Sequence, residues 1–260
     1  MPGWIGADEA TRSRIIAAAR KYLSDAQPLV GKWLGTNACR RGDLAAYRAL
    51  ILLKDADPQA YERLDPAVWA KWAPVVVAVP KETGTENGKF DEVIASDACT
   101  KAPAAFARTV QWLIRTERRR SRIPPPPQPS QPPQISGISP SSGISPFWIL
   151  RTLGECWSST VLKEIVFAEL KNRNNSPAQF EALLEPLLIA EFAPARDFAA
   201  SRLTRLRSAN HRPYAFAAAT QLAARPTGPD WPLLWQQVSS DSQFGVELFL
   251  KIAHEYRHDS

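Results

Sequence analysis

The chain has 260 residues, a formal net charge of +6 and an isoelectric point near 9.4. With 45% hydrophobic, 22% charged and 9% aromatic residues it can build one large core or two modest ones, so disorder throughout is excluded. Twelve glycines and three cysteines exclude collagen-like and disulfide-scaffold chains.

Taken in order, the first half reads as helix after helix. Asp8 or Thr11 opens a segment whose Ile15, Ile16, Ala19, Tyr22 and Leu23 fall at helical spacing. Leu44, Tyr47, Leu50, Ile51 and Leu53 repeat the pattern. Asp65-Pro66 places an N-cap before a proline at the first helical position, where a missing amide is harmless. Trp69, Trp72 and Val76 make the inward stripe of that helix, and its internal Pro74 is expected to kink it or end it early. Pro103 opens a further helix through Phe106, Val110, Leu113 and Ile114.

Residues 123–146 read IPPPPQPSQPPQISGISPSSGISP and hold nine of the 23 prolines. Such a segment lacks amide donors and apolar payload, so a disordered polyproline-II linker is expected, in preference to an SH3-type ligand. It divides the chain into helical halves at 1–122 and 147–260.

Ser145-Pro146 is expected to start the second half, with Phe147, Leu150 and Leu153. Ser159 caps the next helix, and Ser176-Pro177-Ala178-Gln179 matches a capping box leading into Phe180, Leu183, Leu184, Leu187 and Leu188. Phe198, Leu203 and Leu206 mark another helix. The last three open at Pro213, at Asp230 and near Ser242, with Phe244, Leu248, Phe249 and Ile252 as the apolar positions of the final one. No alternating β-branched strand occurs, so the expected class is all-α. Short helices in pairs, separated by tight Pro/Asp/Asn/Gly turns, point to an α-solenoid of HEAT-like pairs.

Two segments repeat one another faintly. Ala45 to Leu53 followed by Asp65 to Trp72 matches Ala215 to Ala223 followed by Pro229 to Trp235. Each is an Ala/Leu helix, a turn and a second helix carrying two tryptophans, expected to pack between repeats rather than to cage a ligand.

No catalytic motif survives inspection. His254-Glu255-Tyr256-Arg257-His258 is a literal HExxH, the zinc-peptidase pattern in which two His bind metal and Glu activates water. Here the chain stops two residues later with no downstream third ligand. The motif also lies on the polar stripe of a terminal helix, opposite Leu248, Ile252 and Tyr256. Gly84 to Phe90 imitates a phosphate loop but is one residue short, with Phe90 where Ser or Thr must bind Mg²⁺, and reads as a surface loop. Cys39, Cys99 and Cys156 have no CxxC spacing and are expected to be structural thiols of a reducing, cytoplasmic environment. No apolar run approaches the ~20 residues of a membrane helix, and Met1 to Arg20 has no secretory core. No cofactor is implied.

The basic excess favours an acidic partner. Arg118, Arg119 and Arg120 are the second choice for binding such a partner, although at the end of a helix cations also simply complement its dipole. Arg196, Arg202 and Arg205 form the preferred partner-binding set, because Arg202 and Arg205, three apart, share one face.

The tryptophan-paired repeats, Leu187 to Ala199 and Asp241 to Ala253 resemble the C-terminal helical-repeat region of large bacterial NACHT-type STAND NTPases of conflict and antiphage systems. Ala17 to Leu23 and Tyr47 to Trp72 fit the same region. In that family the repeats follow a nucleotide-binding module and sense a trigger or hold the protein inactive. No intact Walker A motif is present, so the resemblance implies no catalytic residue. It implies a detached or truncated sensor array, or a separately encoded partner of an NTPase. The expected function is therefore a non-enzymatic interaction module with a protein partner. A basic helical scaffold for nucleic acid is the alternative, and a zinc metallopeptidase the third.

Overall fold

The computed structural model describes residues 4, 6–35, 39–79, 86–121, 150–151, 153–205, 208–225 and 227–256, with the backbone alone at 86–89, 255 and 256. Among them are twelve α-helices, two short 3₁₀ turns and no strand, so the chain is all-α. The proline-rich residues 123–146 and the expected helix start at Ser145-Pro146 lie outside the described residues. The helices form two compact units, residues 1–162 and 163–260.

In the first unit three helices start where a capping aspartate directs. Asp8 accepts a hydrogen bond from the Thr11 amide at 2.7 Å and opens α1 (Glu9–Asp25). α2 (Arg41–Ala56) follows, then α3 (Pro58–Glu62), whose N-cap Asp57 accepts from Ala60 N. Asp65 and Pro66 open α4 (Pro66–Ala78) as the sequence expects. The helix does not end early at Pro74 but runs four residues further. Proline removes one backbone hydrogen bond, whereas Trp69, Trp72, Ala73, Val75, Val76 and Val77 are all buried, and that packing outweighs the loss.

α5 (Glu86–Lys101) and α6 (Pro103–Arg120) complete this unit's long helices. α4 packs on both, and α2 packs on α1 and α4. The expected surface loop at Gly84 to Phe90 is corrected here: from Glu86 the backbone is helical. The cause is tertiary, because Ile94, Ala95, Ala98 and Cys99 bury one face of α5 although its start, Glu-Asn-Gly-Lys, is poor helix sequence. Polar ties reinforce the packing. Trp72 donates to the Leu23 carbonyl at 2.8 Å, buried Asp91 accepts from Tyr47, and Asp97 accepts from Tyr61 at 2.8 Å. Burial, then the bond to Asp97, drives the Tyr61 phenol well above its usual range.

The division between units falls at Leu162/Lys163. Residues 150–162 belong with the first unit because the 3₁₀ turn Gly154–Ser158 packs on α5. α7 (Thr160–Leu170) begins there, with the Ser159 hydroxyl 3.4 Å from Leu162 N.

The second unit contains α8 (Pro177–Ile189), α9 (Ala193–Leu203), α10 (Arg212–Ala224), α11 (Asp230–Ser240) and α12 (Ser242–Tyr256). The capping box at Ser176 is complete in both directions, at 3.2 and 3.0 Å. α10 is the centre of the unit and packs against α8, α9, α11 and α12. Its run Ala215, Ala217, Ala218, Ala219 and Leu222 is buried nearly all round, because methyl-sized side chains let four neighbours approach. α8 also contacts α9, and α9 contacts α11.

Candidate functional site

The described residues bring some of the expected arginines together and separate others. Arg196, on α9, is not free for a partner. It pairs with buried Asp230 at the start of α11 and donates to the Arg225 carbonyl at 3.3 Å. Arg118 is buried against the first unit's core, Arg120 donates to the Gly35 carbonyl, and Arg119 is exposed. Gly35 has φ of +73°, which a glycine adopts without strain, and its carbonyl is thereby presented to Arg120. These three therefore form no common face: helix periodicity alternates core and solvent positions at the end of α6.

Arg202 and Arg205 do converge, as their spacing predicts, and the cavity they line also takes Lys171, Arg173 and His211. The cavity measures about 580 Å³. Four segments meet there: the turn after α7, Phe180 of α8, the end of α9 and the entry to α10. Among the described residues no carboxylate lines it.

The turn carrying Lys171 and Arg173 is held firmly. Asn175 Nδ2 donates to the carbonyls of Glu169 and Leu170 at 2.9 and 3.1 Å, and Tyr214 donates to the Asn175 carbonyl at 2.6 Å. The Arg202 guanidinium lies 4.5 Å from the centre of the Phe198 ring. Its Nε is buried and makes no hydrogen bond among the described residues. Burial, then the neighbouring Arg205 charge, pulls the Arg202 pKa below the usual arginine value. Sequence reading finds Arg202 and Arg205 through their spacing on one helix. It misses Lys171 and Arg173 because their turn is about thirty residues away and nothing periodic links them.

A second surface lies on α11 and α12, which pack on each other. The expectation that both tryptophan pairs pack inside the fold holds for Trp69 and Trp72, which are buried, and is corrected for Trp231 and Trp235. These last are 56% and 71% exposed. α11 turns Asp230 and Leu234 inward, which leaves Trp231 and Trp235, one turn apart, on an outer face. On α12, Phe244 and Leu248 are buried as expected, but Phe249 is 69% exposed, beside exposed Val246 and Leu250. Gly245 lets the two helices approach, since a Cβ there would lie 2.8 Å from Val238 Cγ1.

Of the HExxH stretch, His254 lies on α12; the Glu255 side chain, Arg257 and His258 lie outside the described residues. Among the described residues no cluster of three or more His, Cys, Asp or Glu side chains could hold a metal ion. Cys99 and Cys156 are buried and Cys39 is half-buried, none of them in a disulfide, with the Cys99 sulfur 3.6 Å from the Cys156 carbonyl. Hydrogen bonding with Cys156 holds the Cys99 thiol below its ordinary pKa against the opposing effect of burial. No helix among the described residues is long and apolar enough to cross a membrane. Comparison with protein-family models, with curated proteins and with solved structures gives no match in any of the three.

Proposed function

We propose that the chain is a non-catalytic helical interaction module that docks a protein partner through the outer face of α11 and α12. The observation that carries this reading is the set of five large apolar side chains, Trp231, Trp235, Val246, Phe249 and Leu250, left exposed on two helices packed together. Apolar patches of this kind on soluble proteins mark interaction surfaces, and exposed tryptophans supply most of the binding energy where such surfaces close.

The helix contacts support stacked HEAT-like pairs. α8 touches α10 and α10 touches α12, while α9 touches α11, the two-layer pattern of an α-solenoid. With the resemblance to NACHT-type repeat regions, this reading makes the chain the sensing or docking part of a larger defence assembly. A cytoplasmic partner is the one that suits cysteines outside any disulfide.

The test is photocrosslinking in cells from a probe at Trp235, followed by reconstitution of the crosslinked protein with the purified chain. A saturable complex that Trp235→Asp and Phe249→Asp each weaken by about 2 kcal/mol or more, with helical circular dichroism unchanged, is the expected result. A complex indifferent to both substitutions would overturn it.

A further inference from the structure

The basic cavity between α7, α9 and α10 calls for a ligand that the docking face does not supply. Four formal positive charges, on Lys171, Arg173, Arg202 and Arg205, line it together with His211. The usual alternative is a set of solvated arginines without a task. The rest of the same unit argues against that alternative. Among the described residues its other half-buried guanidiniums each hold a carboxylate: Arg196 pairs with Asp230, Arg212 with Asp241 at 2.7 Å and Arg225 with Glu185 at 3.5 Å. Arg202 departs from this rule, since its neighbours are a ring and another cation and its buried Nε has no acceptor among the described residues. Like charges gathered in a recess with no carboxylate among its described lining residues destabilise the empty protein. A multiply charged anion removes that penalty on binding.

We propose that this cavity binds the phosphoryl group of a small phosphate ester, with Arg202 and Arg205 as guanidinium forks and Lys171 and Arg173 completing the charge. Guanidinium matches phosphate oxygens two at a time, whereas a carboxylate would leave most of these cations unsatisfied. A volume of about 580 Å³ exceeds that of a bare phosphate and leaves room for the organic part of the ester, against Leu170, Phe180 and the Tyr214 ring. The turn that presents Lys171 and Arg173 is fixed before binding, because Asn175 holds it and Tyr214 holds Asn175.

Calorimetric titration of the full chain with inorganic pyrophosphate at constant ionic strength tests this site. Saturable, sub-millimolar binding is expected, weakened roughly tenfold or more by Arg202→Gln or by Arg205→Gln and unchanged by Arg119→Gln. Relief of repulsion means that Arg205→Gln, on an exposed side chain, should not lower the melting midpoint of the free protein. Pyrophosphate should raise the midpoint of the unmodified chain and leave that of the Arg202→Gln/Arg205→Gln double variant in place. Trp235→Asp should not affect pyrophosphate binding, which separates this site from the docking face.

No saturation, or equal binding by the double variant, would overturn the proposal. So would a single-stranded oligonucleotide that binds more tightly than pyrophosphate and loses its affinity in the same two variants. That result would give the cavity to a nucleic-acid backbone, and its affinity would fall steeply with salt.

Discussion

Asp241 sits between α11 and α12 and accepts from Phe244 N at 2.9 Å and from Arg212 at 2.7 Å. The amide bond first, and Arg212 second, hold its carboxyl below the ordinary value of 3.8. The folded pKa is the lower one, so its contribution to stability is complete above the unfolded value and is lost as pH falls through the folded value. The urea midpoint of the native chain should therefore fall more steeply below about pH 4 than that of Asp241→Asn, as denaturation at a series of pH values would show. A different balance holds at Arg196 and Asp230. Both are largely buried, and Asp230 also accepts from Thr227 N and its hydroxyl at 2.7 Å. Those two bonds soften the loss of the arginine, so Arg196→Met should cost on the order of 2 kcal/mol rather than the larger penalty of a wholly unpaired buried charge. Chemical denaturation of Arg196→Met, Asp230→Asn and the double variant would measure that coupling. The same pair explains why one expected partner-binding arginine is engaged internally: its counter-charge comes from a helix thirty-four positions away, which local spacing does not reveal.

At the scale of helices, the N-termini were the most legible features, because capping is a matter of three or four consecutive residues. Ser176→Ala should cost about 1 kcal/mol, since it opens a capping box complete in both directions. The α11–α12 contact is harder to foresee. Replacing Gly245 with alanine favours the helix by ~1 kcal/mol in propensity but drives a methyl against the branched side chain of Val238, and overpacking costs roughly 1–3 kcal/mol. A net loss of stability is expected, and thermal melting of Gly245→Ala would check it; a rise in the midpoint would mean that the helices separate freely. α5 shows the opposite limit of sequence reading. Its first turn contains Asn87 and Gly88, and only burial of Ile94, Ala95 and Ala98 against neighbouring helices makes the segment helical.

For the molecule as a whole, each unit has its own core, one around α4 and one around α10. Phe106→Ala and Leu183→Ala, both at fully buried positions, should each cost about 2–5 kcal/mol through the cavities they leave. Hydrogen exchange should then accelerate mainly in α4–α6 for the first and in α8–α10 for the second. Equal acceleration in both units would show a single cooperative fold.

The sequence by itself determined the all-α class, the caps at Asp65, Ser159 and Ser176, and most of the core positions. Each depends on periodicity or on contacts within one turn of helix, and both are written locally. The tertiary structure alone decided which charges and aromatics remain available. It buried Trp69 and Trp72 but exposed Trp231 and Trp235, engaged Arg196 with Asp230, and set Lys171 and Arg173 beside Arg202 and Arg205. Those outcomes depend on which helix covers which face, and a chain position carries no record of the neighbour that will cover it.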